Sequence, residues 1–251
     1  MIMNNKITSR KNEKAVHLKK LGADNGYRRG TGMFYCDGEK LLQEAVKNGA
    51  EIEMVFTCTE LSTKLPDNVP VYETTYDIIE SISPMKTPQK VIFSCRKKPA
   101  QLKSGSGRYI VLEDMQDPGN VGTVLRTAGA FNVDAVILVG ACADPYNHKA
   151  VRASMGAIFR QPMIETDLSG LKDLLCDNNI KLIGAALSEK SRDIREISLT
   201  NCAVAIGSEG HGLSEEFLAA CDELAIIPMD ERCESLNAAA AAAIVMWEMS
   251  R

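Results

Sequence analysis

Residues 224–249 read LAIIPMDERCESLNAAAAAAIVMWEM, and the rest of the chain can be read outward from them. A short apolar run, Leu224 to Ile227, halts at Pro228 as a buried strand does. A polar loop carrying Asp230, Glu231, Arg232 and Glu234 follows, and Ser235 and Asn237 then stand at the mouth of an alanine-rich helix reaching about Met249. Side-chain oxygens at such an entrance accept hydrogen bonds from free backbone N–H groups, so capping alone is one sufficient account of both residues. The six consecutive alanines, Ala238 to Ala243, ask for more. A helix this bare contributes little apolar area and lets another backbone approach closely. It is a wall built to fit its neighbour.

The run at 224–227 is the last of a series. YIVLE (109–113), AVILVG (135–140), IKLIGAAL (180–187) and AVAIG (203–207) have the same short, apolar character. Helical patterns separate most of them, near 121–131, 149–159, 170–177 and 214–221. Apolar strands alternating with helices predict an α/β unit with a mostly parallel sheet covered on both faces. Ligands of such sheets bind outside the carboxyl ends of the strands.

Ahead of that series the pattern is mixed. Residues 10–22 read as a short helix with Val16, Leu18 and Leu21 on one face and Gly22 as its stop. GYRRGTGMFYCDG (26–38) reads as a turn-rich connector that leaves Arg28 and Arg29 exposed beside Tyr27. That pairing suits phosphate contacts and base stacking, and equally an ordinary loop. A helix over 39–47, strands over 51–58 and 90–95, and a helix near 76–81 complete a small α/β unit. KKPAQLKSGSGR (97–108) is polar, basic and glycine-bearing. The predicted division is therefore 1–98, a linker at 99–108, and 109–251.

Charge follows the same division. The 251 residues carry a net charge of −4, but residues 1–112 hold 18 Lys/Arg against 12 Asp/Glu and residues 113–251 hold 11 against 21. A basic front on an acidic back points to a polyanion-binding module joined to one with different work. The eight cysteines form no CxxC pair, and the three histidines fall at no ligand spacing, so neither disulfides nor zinc are expected. No apolar run approaches the ~20 residues of a membrane span. The first residues lack the apolar stretch of a signal peptide, which leads to the expectation of a cytoplasmic protein with reduced thiols.

Three strand ends gather the polar residues. YIVLED is followed by Asp117-Pro118-Gly119-Asn120-Val121-Gly122, with Arg126 six residues beyond Asn120. AVAIG is followed by Ser208-Glu209-Gly210-His211-Gly212, in which a tight glycine-rich turn would aim the Glu209 carboxylate. His211 reads as a turn residue. The spacing G-x-x-G-x-G is not the dinucleotide fingerprint, which counts against a nucleotide-dependent oxidoreductase. The third end supplies Ser235 and Asn237. Asn120, Arg126, Glu209, Ser235 and Asn237 lack a phosphate-loop lysine, a Ser–His–Asp set or a metal cluster. They suit the positioning of a polar substrate beside a small organic cofactor held by backbone.

In these residues the sequence resembles the SpoU/TrmH group of RNA ribose 2′-O-methyltransferases, within the knotted SPOUT methyltransferases. DPG followed by NVGTVLRTAGAFN, then IGSEGHGLS, then IPMDERCESLNAAAAAAIVMWEMSR are similar to its three ordered motifs and span about 110–251. The third reads SLNAAAA where the commoner pattern is SLNVSVA, with the polar pair kept. The stretch ITSRKNEKAVHLKKL through GMFYCDGEKLLQEA resembles the ribosomal-protein-like RNA-binding module that many members carry. The resemblance implies a homodimeric catalytic domain with a deep C-terminal trefoil knot, in which the bare alanine helix packs. It implies S-adenosylmethionine held by backbone at Gly207, Ile227, Met229 and Leu236, and catalytic roles for Asn120, Arg126, Glu209, Ser235 and Asn237. Arg10, Lys11, Arg28 and Arg29 are the candidate RNA contacts. Ribosomal RNA is the expected substrate, transfer RNA the first alternative, and a non-catalytic RNA-binding protein of the same fold the second. No metal and no membrane are expected among its partners.

Overall fold

The computed structural model describes residues 6–98, 100, 107–230, 232, 233 and 235–251. The chain divides into two compact units, Met1–Lys98 with Asp144–Arg160, and Pro99–Ala143 with Gln161–Arg251. Most of the expected linker, 99–108, lies outside the described residues, and Arg108 at its end already opens a strand.

In the first unit, Asn12 caps helix α1 (Glu13–Ala23) by accepting from the Lys14 N–H at 3.0 Å. Asp24 caps a second helix, α2 (Asn25–Thr31), which stops at Gly32 in the left-handed conformation. Strand β1 (Met33–Asp37), helix α3 (Glu39–Lys47), β2 (Ile52–Thr57), β3 (Val71–Glu73), α4 (Tyr76–Ile82) and β4 (Val91–Arg96) follow. They build a four-stranded sheet in the order β1-β4-β2-β3, with β4 antiparallel to both β1 and β2 and β3 parallel to β2. Leu18, Leu21, Tyr35, Phe56, Ile78 and Ile92 bury between this sheet and its helices.

The stretch 26–38 is therefore no connector. It holds most of α2 and all of β1. Arg28 is not exposed either: it is 2% exposed, bonds Asp144 through Nε at 2.7 Å, and donates from Nη1 to the Leu21 carbonyl at 2.8 Å. Two glycines made 25–31 look like a turn, but the Asp24 cap and the buried ion pair outweigh their helix penalty. Asp144 belongs to a later segment that also carries helix α6 (His148–Ala153). The single helix expected over 149–159 is in fact α6, a left-handed break at Met155 and Gly156, and a 3-10 turn at Ala157–Phe159.

The second unit is an α/β sheet of seven strands. Its elements are β5 (Arg108–Glu113), α5 (Pro118–Ala130), β6 (Ala135–Val139), β7 (Met163–Thr166), α7 (Leu168–Asp177), β8 (Lys181–Ala185), β9 (Arg192–Asp193), β10 (Cys202–Ile206), α8 (Glu215–Ala220), β11 (Glu223–Ile226) and α9 (Ala238–Met249). The order is β7-β6-β5-β10-β8-β11-β9, and every pairing is parallel. The apolar strands bury Val111, Ile137, Val139, Ala203 and Ala205 against Leu171 and Phe217. Two short edge strands, β7 and β9, were not foreseen. Helix α5 starts three residues earlier than expected because Pro118 takes its first position, where the missing N–H is no loss. On the other face, α9 packs against α5 and against β5 and β10. It buries Ala238, Ala239, Ala242, Val245 and Met246.

Candidate active site

Strands β5 and β10 are neighbours, with Ile206 opposite Leu112, although β6 to β9 separate them in sequence. The chain order reverses between them, and at such a switch point the loops leaving the two strand ends part to form a crevice. The loop after β5 begins with Asp114 at φ +51°, whose Oδ1 accepts from the Ala141 N–H at 2.6 Å. Asp117 then caps α5 by accepting from the Gly119 N–H at 2.7 Å, which sets Asn120 in the helix's first turn. After β10 the chain closes on itself: Ser208 and Gly212 exchange backbone hydrogen bonds of 3.2 and 2.9 Å, with Glu209 inside the loop. Gly207 makes this closure possible. A Cβ there would stand 2.0 Å from the Gly212 carbonyl carbon.

The third strand end completes a relay. The Asn237 Oδ1 accepts from the Ala239 and Ala240 N–H groups at 3.0 and 3.2 Å, capping α9. That use of the oxygen fixes the amide's orientation, so its Nδ2 must donate, and it does so to the Asn120 Oδ1 at 3.3 Å. The Asn120 Nδ2 is thereby turned outward and donates to the Glu209 carboxylate. The helix terminus thus orients two amides in series and leaves Glu209 at the end as an acceptor. The residue that caps α9 is thus also the one that joins the three strand ends.

Two of the five candidate catalytic residues stand outside this relay. Arg126 projects from α5 into solvent and makes no hydrogen bond or ion pair with a described residue. The side chain of Ser235 is likewise exposed and unbonded among the described residues. Of the candidate cofactor residues, Gly207 is buried and Ile227, Met229 and Leu236 are half-buried at the ends of β10 and β11 and before α9. No main-chain hydrogen bond joins Gly207, Met229 or Leu236 to another described residue. Half-buried apolar side chains beside unsatisfied backbone groups fit a ligand with an apolar, hydrogen-bonding ring such as adenine. In the first unit, Arg10 and Lys11 are exposed, Arg10 pairing with Asp77 at 3.2 Å, and Arg29 is exposed. Buried Arg28 is withdrawn from any surface role.

One supporting residue escaped the sequence reading. Glu113, the last residue of β5, is 8% exposed and accepts from the Ser214 N–H at 2.8 Å and its hydroxyl at 2.7 Å. Ser214 also caps α8 by accepting from the Phe217 N–H at 3.1 Å. Glu113 therefore ties the far end of the Glu209 loop to the neighbouring strand. An acid closing an otherwise apolar run was its only signal. Among the described residues, no cluster of His, Cys, Asp and Glu could hold a metal, and no helix is long and apolar enough to cross a membrane.

Residues 107–247, which carry this whole arrangement, match the model of the SpoU rRNA Methylase family. The chain belongs to that family. Residues 12–92 match the MRM3-like substrate binding domain. Along its length the chain is 30% identical over 246 residues to the 23S rRNA (guanosine(2553)-2'-O)-methyltransferase RlmP of Bacillus subtilis, covering 97% of this chain and 98% of the relative. The AdoMet-bound rRNA methyltransferase from Sinorhizobium meliloti superposes with a TM-score of 0.84 at 26% identity, covering 97% and 96% of the two chains. A putative RNA methyltransferase of the TrmH family from Porphyromonas gingivalis gives 0.83 at 28%, covering 95% and 97%. The family's α/β fold with its parallel sheet is the fold of this protein.

Proposed function

We propose that this chain transfers a methyl group from S-adenosylmethionine to a ribose 2′-oxygen of structured RNA, with ribosomal RNA as the substrate. The carrying observation is the Asn237–Asn120–Glu209 relay, assembled from three strand ends in a chain of this family. When bound, S-adenosylmethionine supplies a methyl group activated by its sulfonium. Gly207, Ile227, Met229 and Leu236 are the residues suited to hold it, through backbone groups that have no other partner among the described residues or through half-buried apolar side chains.

Arg126 has no hydrogen-bond partner among the described residues, which leaves its five donors to a phosphate and the target ribose. A guanidinium keeps its proton (pKa above ~12), so its work is anchoring and charge stabilisation rather than taking the hydroxyl proton. Asn120 fixes Glu209, and Ser235 and Asn237 shape the substrate side of the crevice. Arg10, Lys11 and Arg29 in the basic first unit contribute phosphate contacts. The exposed face of α9, with Ile244 39% and Trp247 58% exposed, supports a homodimer formed across that helix. The insertion of β10 between β5 and β8 and the close packing of α9 support a knotted course for the C-terminal segment. The absence of long apolar helices among the described residues is compatible with a cytoplasmic place of work.

The experiment is transfer of label from S-adenosyl-[methyl-³H]methionine to total RNA, followed by separation and alkaline digestion. Alkali-resistant label in ribosomal RNA is the expected outcome. Label in transfer RNA alone would move the substrate, and no labelled RNA would refute methyl transfer.

A further inference from the structure

The last residue of β5 is a buried acid that no cation neutralises. Glu113 is 8% exposed, and among the described residues no Lys, Arg or His forms an ion pair with it. A carboxylate drawn from water without a cation is costly unless donors meet its oxygens. Both donors come from one residue: the Ser214 N–H donates to Oε2 at 2.8 Å and the Ser214 hydroxyl to Oε1 at 2.7 Å. The hydroxyl oxygen already accepts from the Phe217 N–H at 3.1 Å, which leaves its hydrogen to point at Glu113. An N–H and an O–H arriving together call for two acceptors side by side, which a carboxylate has and an amide lacks. Capping α8 needs only the Ser214 oxygen, so the cap does not account for Glu113.

What this contact holds lies beside the crevice. Leu112 is opposite Ile206, so the chain leaves β5 at Glu113 next to where it leaves β10 at Gly207. Ser214 stands two residues past Gly212, whose φ of +67° and hydrogen bonds with Ser208 close the Glu209 loop. Gly207 lies against that closure: an added Cβ would stand 2.0 Å from the Gly212 carbonyl carbon and 2.2 Å from the Leu213 nitrogen. These are backbone atoms in close contact, so a shift at Ser214 carries Gly207 and Glu209 with it. We propose that Glu113 is a positioning residue for methyl transfer: through Ser214 it fixes the loop that presents Gly207 to the cofactor and Glu209 to Asn120. The proposal rests on the cofactor reading above.

Calorimetry with S-adenosylhomocysteine and steady-state kinetics on the full-length protein test this. Glu113→Gln, which keeps the size but offers one acceptor, should weaken S-adenosylhomocysteine about tenfold, the order of one charge-assisted hydrogen bond. The same variant should lower kcat by a similar factor, while KM for ribosomal RNA stays within about twofold because Arg126 and the basic first unit are untouched. Ser214→Asp keeps a cap for α8 but sets a second carboxylate against Glu113, and should show the same losses. With both changes in one chain the introduced amide donates to the introduced carboxylate, and most of the affinity and turnover should return. Glu113→Gln with wild-type affinity and kcat, or a double variant no better than Ser214→Asp, overturns the positioning role. So does an equal rise in KM for RNA, the mark of general loosening. If Glu113→Gln fails to fold, Ser214→Asp carries the same comparison. A wild type that binds no S-adenosylhomocysteine refutes the cofactor reading itself. Wild-type binding that neither variant disturbs refutes only the role of Glu113.

Discussion

At Asn237 one side chain serves two ends, and the two can be pulled apart. Asn237→Asp keeps an oxygen for the α9 amides but loses the donor to Asn120. Stability should change little while kcat drops on the order of tenfold, the worth of one hydrogen bond at ~1–1.5 kcal/mol. Asn237→Ala should lose the same activity and, with the cap gone, about 1 kcal/mol of stability in urea. Equal activity in Asp and wild type would show that the relay is only a cap. Arg126→Lys preserves charge but not the planar fork, and kcat should fall by about 10² if the guanidinium anchors the reacting ribose. A third residue carries a pH dependence. Burial first, and then the charges of Lys149, Arg28 and Arg152, push the His148 imidazole below its ordinary value of 6.5. The folded state then binds fewer protons than the unfolded chain, so stability is full above pH ~6.5 and is lost as the pH falls below it. Urea midpoints at pH 7.5 and 5.5 should show the loss, and His148→Gln should reduce it.

Among the elements, α2 is held by a partner far along the chain. Arg28→Ala leaves Asp144 buried without its cation and should destabilise the protein by about 3–5 kcal/mol in thermal or urea unfolding. Arg10→Ala, at a pair with Asp77 that water screens, should leave the unfolding midpoint almost unchanged. This contrast also marks where sequence reading succeeds and stops. The strands of the parallel sheet are legible because burial on both faces makes each an uninterrupted apolar run. The ends of β5 and β10 are legible because glycine, proline and aspartate crowd there. Helix α2 is illegible because its stabilising acid, Asp144, lies 116 residues away. The edge strands β3 and β9, three and two residues long, owe their form to the strands beside them. Glu113 looked like the polar end of a strand, since nothing local reveals that Ser214 will come to meet it.

On the scale of the whole molecule, the exposed face of α9 predicts association. Trp247 packs edge-on against Phe131 at 5.9 Å between ring centroids, yet more than half of it faces solvent. Trp247→Glu should convert a dimer to a monomer in sedimentation equilibrium with the fold intact by circular dichroism, and a wild-type monomer would contradict the assembly. Why three distant loops meet was partly visible in advance, since parallel sheets open at their carboxyl ends. The insertion of β10 beside β5 was not, because strand order leaves no mark on local pattern.

The first compact unit is not one continuous piece of chain, since Asp144–Arg160 returns to it from between β6 and β7 and supplies both Asp144 and Arg152. Recombination that exchanges only the leading hundred codons between relatives would therefore carry Arg28 without Asp144, its buried partner. The inheritance of that unit is tied to that of the methylase half.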